Sequence, residues 1–199
     1  MRERVRQATR ATILQAAEKV FSERGIGAAR MEEIAEQAGL AVGTIYNYFD
    51  DRHALLQAVL DASADELEQR LAEAAPSAGE PFKRQLERFL AKVLEHQQAH
   101  FRLFAILAQE EAGLCRPPSA AEPRRLRLRA LHDLAERLVE RGVAQGALRP
   151  EDADLFPTFL SNMLRGIFLR DLLATGAPPR LEEAPRLARF FLHGAGGHR

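Results

Sequence analysis

Between Val42 and Tyr48 the chain places two tyrosine hydroxyls, one threonine hydroxyl and one carboxamide within seven residues, Val42-Gly43-Thr44-Ile45-Tyr46-Asn47-Tyr48. Hydroxyls and amides suit hydrogen bonds to phosphate oxygens, and an amide also pairs with a base edge. Three other groupings carry chemistry of their own. Glu95-His96-x-x-x-His100 sets two imidazoles one helical turn apart, a spacing that metals use, but no further ligand lies near in sequence and no metal is assigned. Arg124, Arg125, Arg127 and Arg129 read either as a phosphate cradle or as a solvated face paired with glutamates. Cys115 stands beside Arg116, which lowers a thiol's pKa, yet no histidine is close in sequence to act as its base. A nucleophile–base set or a carboxylate–metal set, the mark of an enzyme, is not found.

The elements that must hold the hydroxyl-rich segment are legible around it. Ile13, Ala16, Ala17, Val20 and Phe21 fall at helical spacing in a helix opened by Thr9-Arg10, and Gly25 frees the backbone at its end. Met31, Ile34, Ala35 and Ala38 form the buried face of a second helix, with small alanines that admit the first one closely. Gly39 permits a tight turn and Leu40 plugs it. Ile45 and Phe49 then anchor a third, short helix from beneath, leaving Val42, Gly43, Thr44, Tyr46, Asn47 and Tyr48 outward. Asp51 is placed to cap a further helix running from about Arg52 through Leu55, Leu56, Val59 and Leu60. Helix, glycine turn, then a second helix with polar tips is the order of a helix-turn-helix unit.

The whole run is Thr9-Arg10-x-x-Ile13-Leu14-x-Ala16-Ala17, Phe21-x-x-x-Gly25, Met31-x-x-Ile34-Ala35-x-x-Ala38-Gly39, Gly43-Thr44-Ile45-Tyr46-x-Tyr48-Phe49 and Arg52-x-x-Leu55. It resembles the DNA-binding domain of the TetR family of bacterial transcriptional regulators. A plain three-helix bundle has no need for two exposed tyrosines on so short a helix. The resemblance implies an all-α protein of about nine helices, with a helix-turn-helix domain over 1–52 and a larger ligand-binding and dimerisation domain over 53–199. It also implies a homodimeric regulator of double-stranded DNA with a palindromic operator, most simply a repressor released by a small molecule, with no cofactor. Thr44, Tyr46, Tyr48 and Arg52 match family positions that touch phosphates, whereas Gly43 and Asn47 sit where base edges are reached. Two departures bear on the operator. Ala41 and Val42 stand where a hydroxyl and a polar or basic residue are usual, removing a helix cap worth about 1 kcal/mol; Val42 keeps methyls that can meet a thymine methyl. Arg30 occupies a common capping position and is expected to reach DNA as a cation.

Charge gives no global signal for nucleic acid. The 199 residues carry 28 basic and 28 acidic side chains, and residues 1–52 carry eight of each. Distribution must do the work: Arg2, Arg4, Arg6 and Arg10 cluster at the N-terminus, either as an arm along a phosphate backbone or groove or as a solvated terminus. One cysteine excludes an intramolecular disulfide and suits a reducing cytoplasm. The N-terminus is charged from residue 2 and lacks an apolar core, so no secretory leader is expected, and charges interrupt every apolar stretch, so no membrane span is expected.

Proline and glycine divide the remainder into amphipathic segments at about 53–75, 81–111, 124–141, 151–175 and 183–194, with the second breaking near His96–Phe101 into two helices. Nine of the 11 phenylalanines lie here. Phe89, Phe101, Phe104, Leu107, Phe159 and Met163 are candidate walls of a ligand pocket, with Asn162 as its orienting polar group. Leu160, Leu164, Ile167, Phe168, Leu187 and Phe191 are candidates for a dimer seam. The expected effector is apolar or amphipathic, and an acyl-CoA if the Arg124–Arg129 cluster faces the pocket mouth. The competing reading is a helical enzyme or small-molecule carrier whose head no longer binds DNA, suggested by the neutral head and by Ala41.

Overall fold

The computed structural model describes residues 1–77, 79–112 and 122–195, with side chains over 1–77, 79–109 and 130–193. Among these residues the chain forms nine α-helices: α1 (Arg2–Arg24), α2 (Met31–Ala38), α3 (Val42–Tyr46), α4 (Arg52–Glu73), α5 (Phe82–Ala99), α6 (Phe101–Ala112), α7 (Glu122–Ala144), α8 (Phe156–Thr175) and α9 (Ala184–Ala195). The break expected near His96–Phe101 falls at His100, between α5 and α6. The all-α architecture and the helix count agree with the expectation. One element differs: α1 begins at Arg2, not near Thr9, so the arginine-rich terminus is helical, with Thr9 Oγ1 donating to Val5 O at 2.9 Å. No described helix is long and apolar enough to cross a membrane.

The chain falls into two compact units, residues 1–63 with 102–124, and residues 64–101 with 125–199. The first is larger than the 1–52 segment and takes in the opening turns of α4 and most of α6. Its core is apolar: Ile13, Ala17, Phe21, Ile34, Ile45 and Leu55 are fully buried. Alanines at 16, 17 and 35 let α1 and α2 pack closely, as their small volume allows.

The turn from α2 to α3 depends on Gly39. It adopts φ 67° and ψ 31°, a left-handed conformation that a side chain penalises. With Gly39 N–H donating to Glu36 O at 3.0 Å and Leu40 N–H to Ala35 O at 2.9 Å, the helix ends in a Schellman motif. Asp51 caps α4, its Oδ1 accepting from Ala54 N–H at 2.7 Å.

The second unit is built around one apolar cluster. Leu86, Leu90 and Leu94 of α5 meet Leu138 of α7, Leu160 and Leu164 of α8, and Leu187 and Ala188 of α9. Gly142 of α7 marks its tightest point. A Cβ there would stand 2.7 Å from both Leu148 Cδ1 and Phe82 Cζ, inside van der Waals contact. Gly142→Ala is therefore expected to destabilise the protein by about 1–3 kcal/mol through overpacking, read as a lowered midpoint in thermal unfolding followed by circular dichroism. An unchanged midpoint would mean that Phe82 and Leu148 relax freely.

Candidate nucleic-acid interface and effector clefts

The third helix divides cleanly by burial. Ile45 is 0% exposed and Phe49 lies in the core, whereas Val42 and Tyr46 are 36% and 47% exposed. Gly43 and Asn47 are exposed as well, and Thr44 and Tyr48 are half-buried. Val42, Gly43, Tyr46 and Asn47 thus share the outward face that helical phase assigns them. Gly43 has no positive φ, and a Cβ on it would meet nothing within 4 Å. Neither backbone strain nor internal packing calls for glycine there, and the bare backbone leaves room for close approach from outside.

The two flanking arginines are held differently. Arg52, expected at a phosphate, donates from Nη1 to Gly27 O at 2.7 Å and to Ala29 O at 3.1 Å. It braces the loop ahead of α2 and has only Nε and Nη2 left to offer outward. Arg30 occupies the N-cap of α2, where its backbone N–H donates to Glu33 Oε2 at 3.3 Å. Its own side chain accepts nothing and is exposed, as expected of a cation facing outward. Arg10 lies 5.7 Å from the centroid of the Phe49 ring, so one member of the N-terminal basic cluster packs on the base of the third helix.

Of the seven residues expected to wall a ligand pocket, three line two clefts among the described residues. Phe89 is buried and lines a cleft of about 230 Å³ with Leu71, Leu134 and Leu138. Phe159 and Met163 line a separate groove of about 350 Å³ with Leu155 and Phe190. Phe101 packs on Phe168 at 5.6 Å between ring centroids. Phe104 and Leu107 belong to the first compact unit, buried and half-buried. Asn162 is exposed, and its amide donates to Thr158 O of its own helix at 2.9 Å, so it orients nothing beyond α8.

The Phe89 cleft has a basic rim that the sequence did not advertise. Arg88, Arg137 and Arg141 line it. Arg88 donates to both Glu80 oxygens, and this bond holds the Glu80 carboxyl below the usual carboxylate range. Arg137 lies 2.8 Å from Glu68. The i,i+4 spacing of Arg137 and Arg141 was the available signal, but Arg88 joins them only through the tertiary fold. The Arg124–Arg129 cluster and Cys115 lie outside the residues whose side chains are described.

The proposed dimer seam needs correction. Leu160 and Leu164 are 0% exposed, and Phe168, Leu187 and Phe191 are also buried, all within the chain's own structure; Ile167 is half-buried. Among the described residues of this unit, the apolar side chains left to solvent include Phe159 at 63%, Phe190 at 74%, Leu173 at 83% and Leu155 at 48%. The physical reason is that α8 carries large apolar groups on several sides, so periodicity cannot say which of them face inward.

Residues 13–59 match the family described as bacterial regulatory proteins, tetR family. The HTH-type regulator TtgR of Pseudomonas putida is 43% identical over 74 residues, which span 37% of this chain and 35% of that protein. The uncharacterized HTH-type transcriptional regulator YhgD of Bacillus subtilis is 30% identical over 144 residues, 72% of this chain and 73% of that one. The repressor KstR2 of Mycolicibacterium smegmatis is 27% identical over 151 residues, 74% of this chain and 72% of its own. Among solved structures, the regulator FadR of Bacillus subtilis in complex with stearoyl-CoA superposes with a TM-score of 0.77 at 18% identity, covering 92% of this chain and 98% of that one. The chain belongs to the TetR family: it is a helix-turn-helix transcriptional regulator and not an enzyme.

Because Leu164 is enclosed by its own chain, Leu164→Glu buries an uncompensated charge. The expected cost is on the order of 4 kcal/mol. Loss of the cooperative circular-dichroism transition checks this; a variant that folds normally and merely changes oligomeric state would restore Leu164 to the seam.

Proposed function

We propose that this protein is a homodimeric repressor that reads a palindromic operator through α3 and leaves it when an amphipathic small molecule binds the second compact unit. The observation that carries the reading is the division of α3, with Ile45 fully buried and Val42, Gly43, Tyr46 and Asn47 turned outward. In this reading the Tyr46 hydroxyl meets phosphate, Asn47 and the Gly43 backbone meet base edges, Thr44 and Tyr48 add phosphate contacts, and Arg30 supplies charge from the start of α2. Arg52 contributes through the loop it braces and whatever its Nε and Nη2 can reach. The charges of residues 1–52 balance, eight against eight, so the cations that reach phosphate, Arg30 among them, set how strongly affinity depends on salt.

Fluorescence anisotropy with the chain's own promoter region tests this. Tyr46→Ala should weaken binding to operator and random DNA alike, whereas Asn47→Ala should narrow the gap between them, by about 1–3 kcal/mol if the contact is bidentate. If Tyr46→Ala leaves operator affinity unchanged at moderate salt, α3 does not enter the groove. No binding to any duplex would favour the carrier reading.

Palindromic recognition requires two heads about 34–36 Å apart, and hence a two-fold interface. Phe159 and Phe190, both exposed and both lining the apolar groove with Leu155 and Met163, are the surface offered for it. Phe190→Glu should turn the dimer into a monomer in light scattering at micromolar concentration while leaving helix content intact. A wild type that is already monomeric would remove both the interface and the palindrome.

For the effector, the Phe89 cleft pairs an apolar floor with three guanidinium groups, and an anionic head on an apolar body such as an acyl-CoA suits it by taking the place of Glu80 and Glu68 on Arg88 and Arg137. FadR of Bacillus subtilis, similar in fold, is described with stearoyl-CoA bound. A cleft of about 230 Å³ lies below the usual range for ligand sites, about 300–1,000 Å³, so occupancy must widen it. Glu68, Leu71 and Ala72 on its wall belong to α4, an uninterrupted helix that begins at Arg52. Displacing the wall therefore displaces the helix that follows α3 in the chain, and the effector selects a state of different operator affinity.

A further inference from the structure

The search for chemistry outside the interface and the clefts leads to the junction of α4 with the end of α5. Glu66, His96 and His100 bring three donor atoms within 4.8 Å of one another. Glu66 Oε2 lies 3.2 Å from His100 Nε2, and the two imidazole rings stand 4.5 Å apart between centroids, tilted by 50°. The i,i+4 spacing on α5 puts both rings on one helical face, as the sequence suggested; the third group, from α4, is thirty residues earlier and only the fold supplies it.

Burial grades the trio from inside to mouth. His96 is 4% exposed, the His100 side chain 10% and the Glu66 side chain 39%. An ion pair of Glu66 with His100 accounts for two of these groups. The second imidazole, that of His96, is buried against the first, so two ring nitrogens and one carboxylate oxygen converge on one spot. A divalent ion takes a neutral nitrogen from each ring and a negative oxygen from the carboxylate.

The carboxylate is oriented by an arginine. Arg70 Nη2 donates to Glu66 Oε1 at 2.5 Å, which leaves Oε2 turned to the histidines. Partners of this outer kind fix the orientation of ligating carboxylates.

We propose that Glu66, His96 and His100 bind a divalent first-row transition ion, with zinc as the reference case. Bonds of about 2.0–2.2 Å at tetrahedral angles separate donor atoms by roughly 3.4 Å. The Glu66–His100 pair already meets that spacing, and an adjustment of at most about 1.4 Å in the remaining donor completes it. Three protein ligands leave at least one coordination position open, for water or for a carboxylate or thiolate of a small molecule. Occupancy ties residue 66 of α4 to the last turn of α5. This site does not depend on the operator or effector reading.

The test uses full-length protein without an affinity tag, stripped with a chelator, then titrated with cobalt(II) by its visible ligand-field bands and with zinc(II) by calorimetry. One saturable site per chain is expected, together with a zinc-dependent rise in the unfolding temperature. His100→Ala and Glu66→Gln should each abolish both responses, and Arg70→Ala should weaken binding by about 10–100-fold. Glu66 is well enough exposed that Glu66→Gln retains the fold if His100→Ala does not, which circular dichroism establishes. Failure to saturate at one ion per chain, or zinc binding unaltered by Glu66→Gln, overturns the site.

Discussion

A helix of five residues cannot sustain itself in water, since nucleation fixes several residues for its first hydrogen bond and isolated helices need about 12–15 residues to be even marginal. The recognition helix, Val42–Tyr46, is such a helix. Its shape and direction are imposed by its surroundings: Ile45 and Phe49 pull one face into the core, Gly39 sets the angle of entry, and the Asp51 cap starts the following helix at once. Arg52 adds a tie across the first unit by gripping the carbonyls of Gly27 and Ala29, immediately before α2. The proposed interface rests on this imposed rigidity, because base readout needs donors held in place before DNA arrives.

The first fifty residues were legible because each has a local reason to be what it is. Gly39 answers a left-handed backbone, Asp51 an open helix end, and the alanines of α1 and α2 a close crossing. Arg52 was legible in type but not in use. A guanidinium near a DNA-facing helix reads as a phosphate ligand, and nothing local reveals that carbonyls more than twenty residues upstream engage it first. The N-terminal arginines were misjudged in conformation for a similar reason: single charges say where a segment is solvated, not whether it is helical.

The second unit was legible in its segments and opaque in its surfaces. Helix limits follow from proline and glycine, and the segment limits agree with the structure to within about three residues except at the start of α8, which lies five residues later, at Phe156. Which apolar residues face inward is another matter. In α8, Phe156, Leu160, Leu164 and Phe168 turn into the core, while Phe159 and Met163 line a groove between helices, and all six are equally apolar in sequence. Likewise the cleft at Phe89 and the Glu66–His96–His100 trio combine residues from separate helices. Spacing within one helix could supply only part of each.

The outward face of α3 has a consequence for the history of such a protein. Val42, Gly43, Tyr46 and Asn47 stand in solvent on the side away from Ile45, so exchanging them leaves the packing of the head untouched. Stability and the proposed DNA contacts therefore rest on different residues. A lineage carrying this scaffold can exchange the outward residues, those proposed to meet base edges among them, without passing through an unfolded ancestor, while the buried residues beneath them stay under a separate and stricter selection.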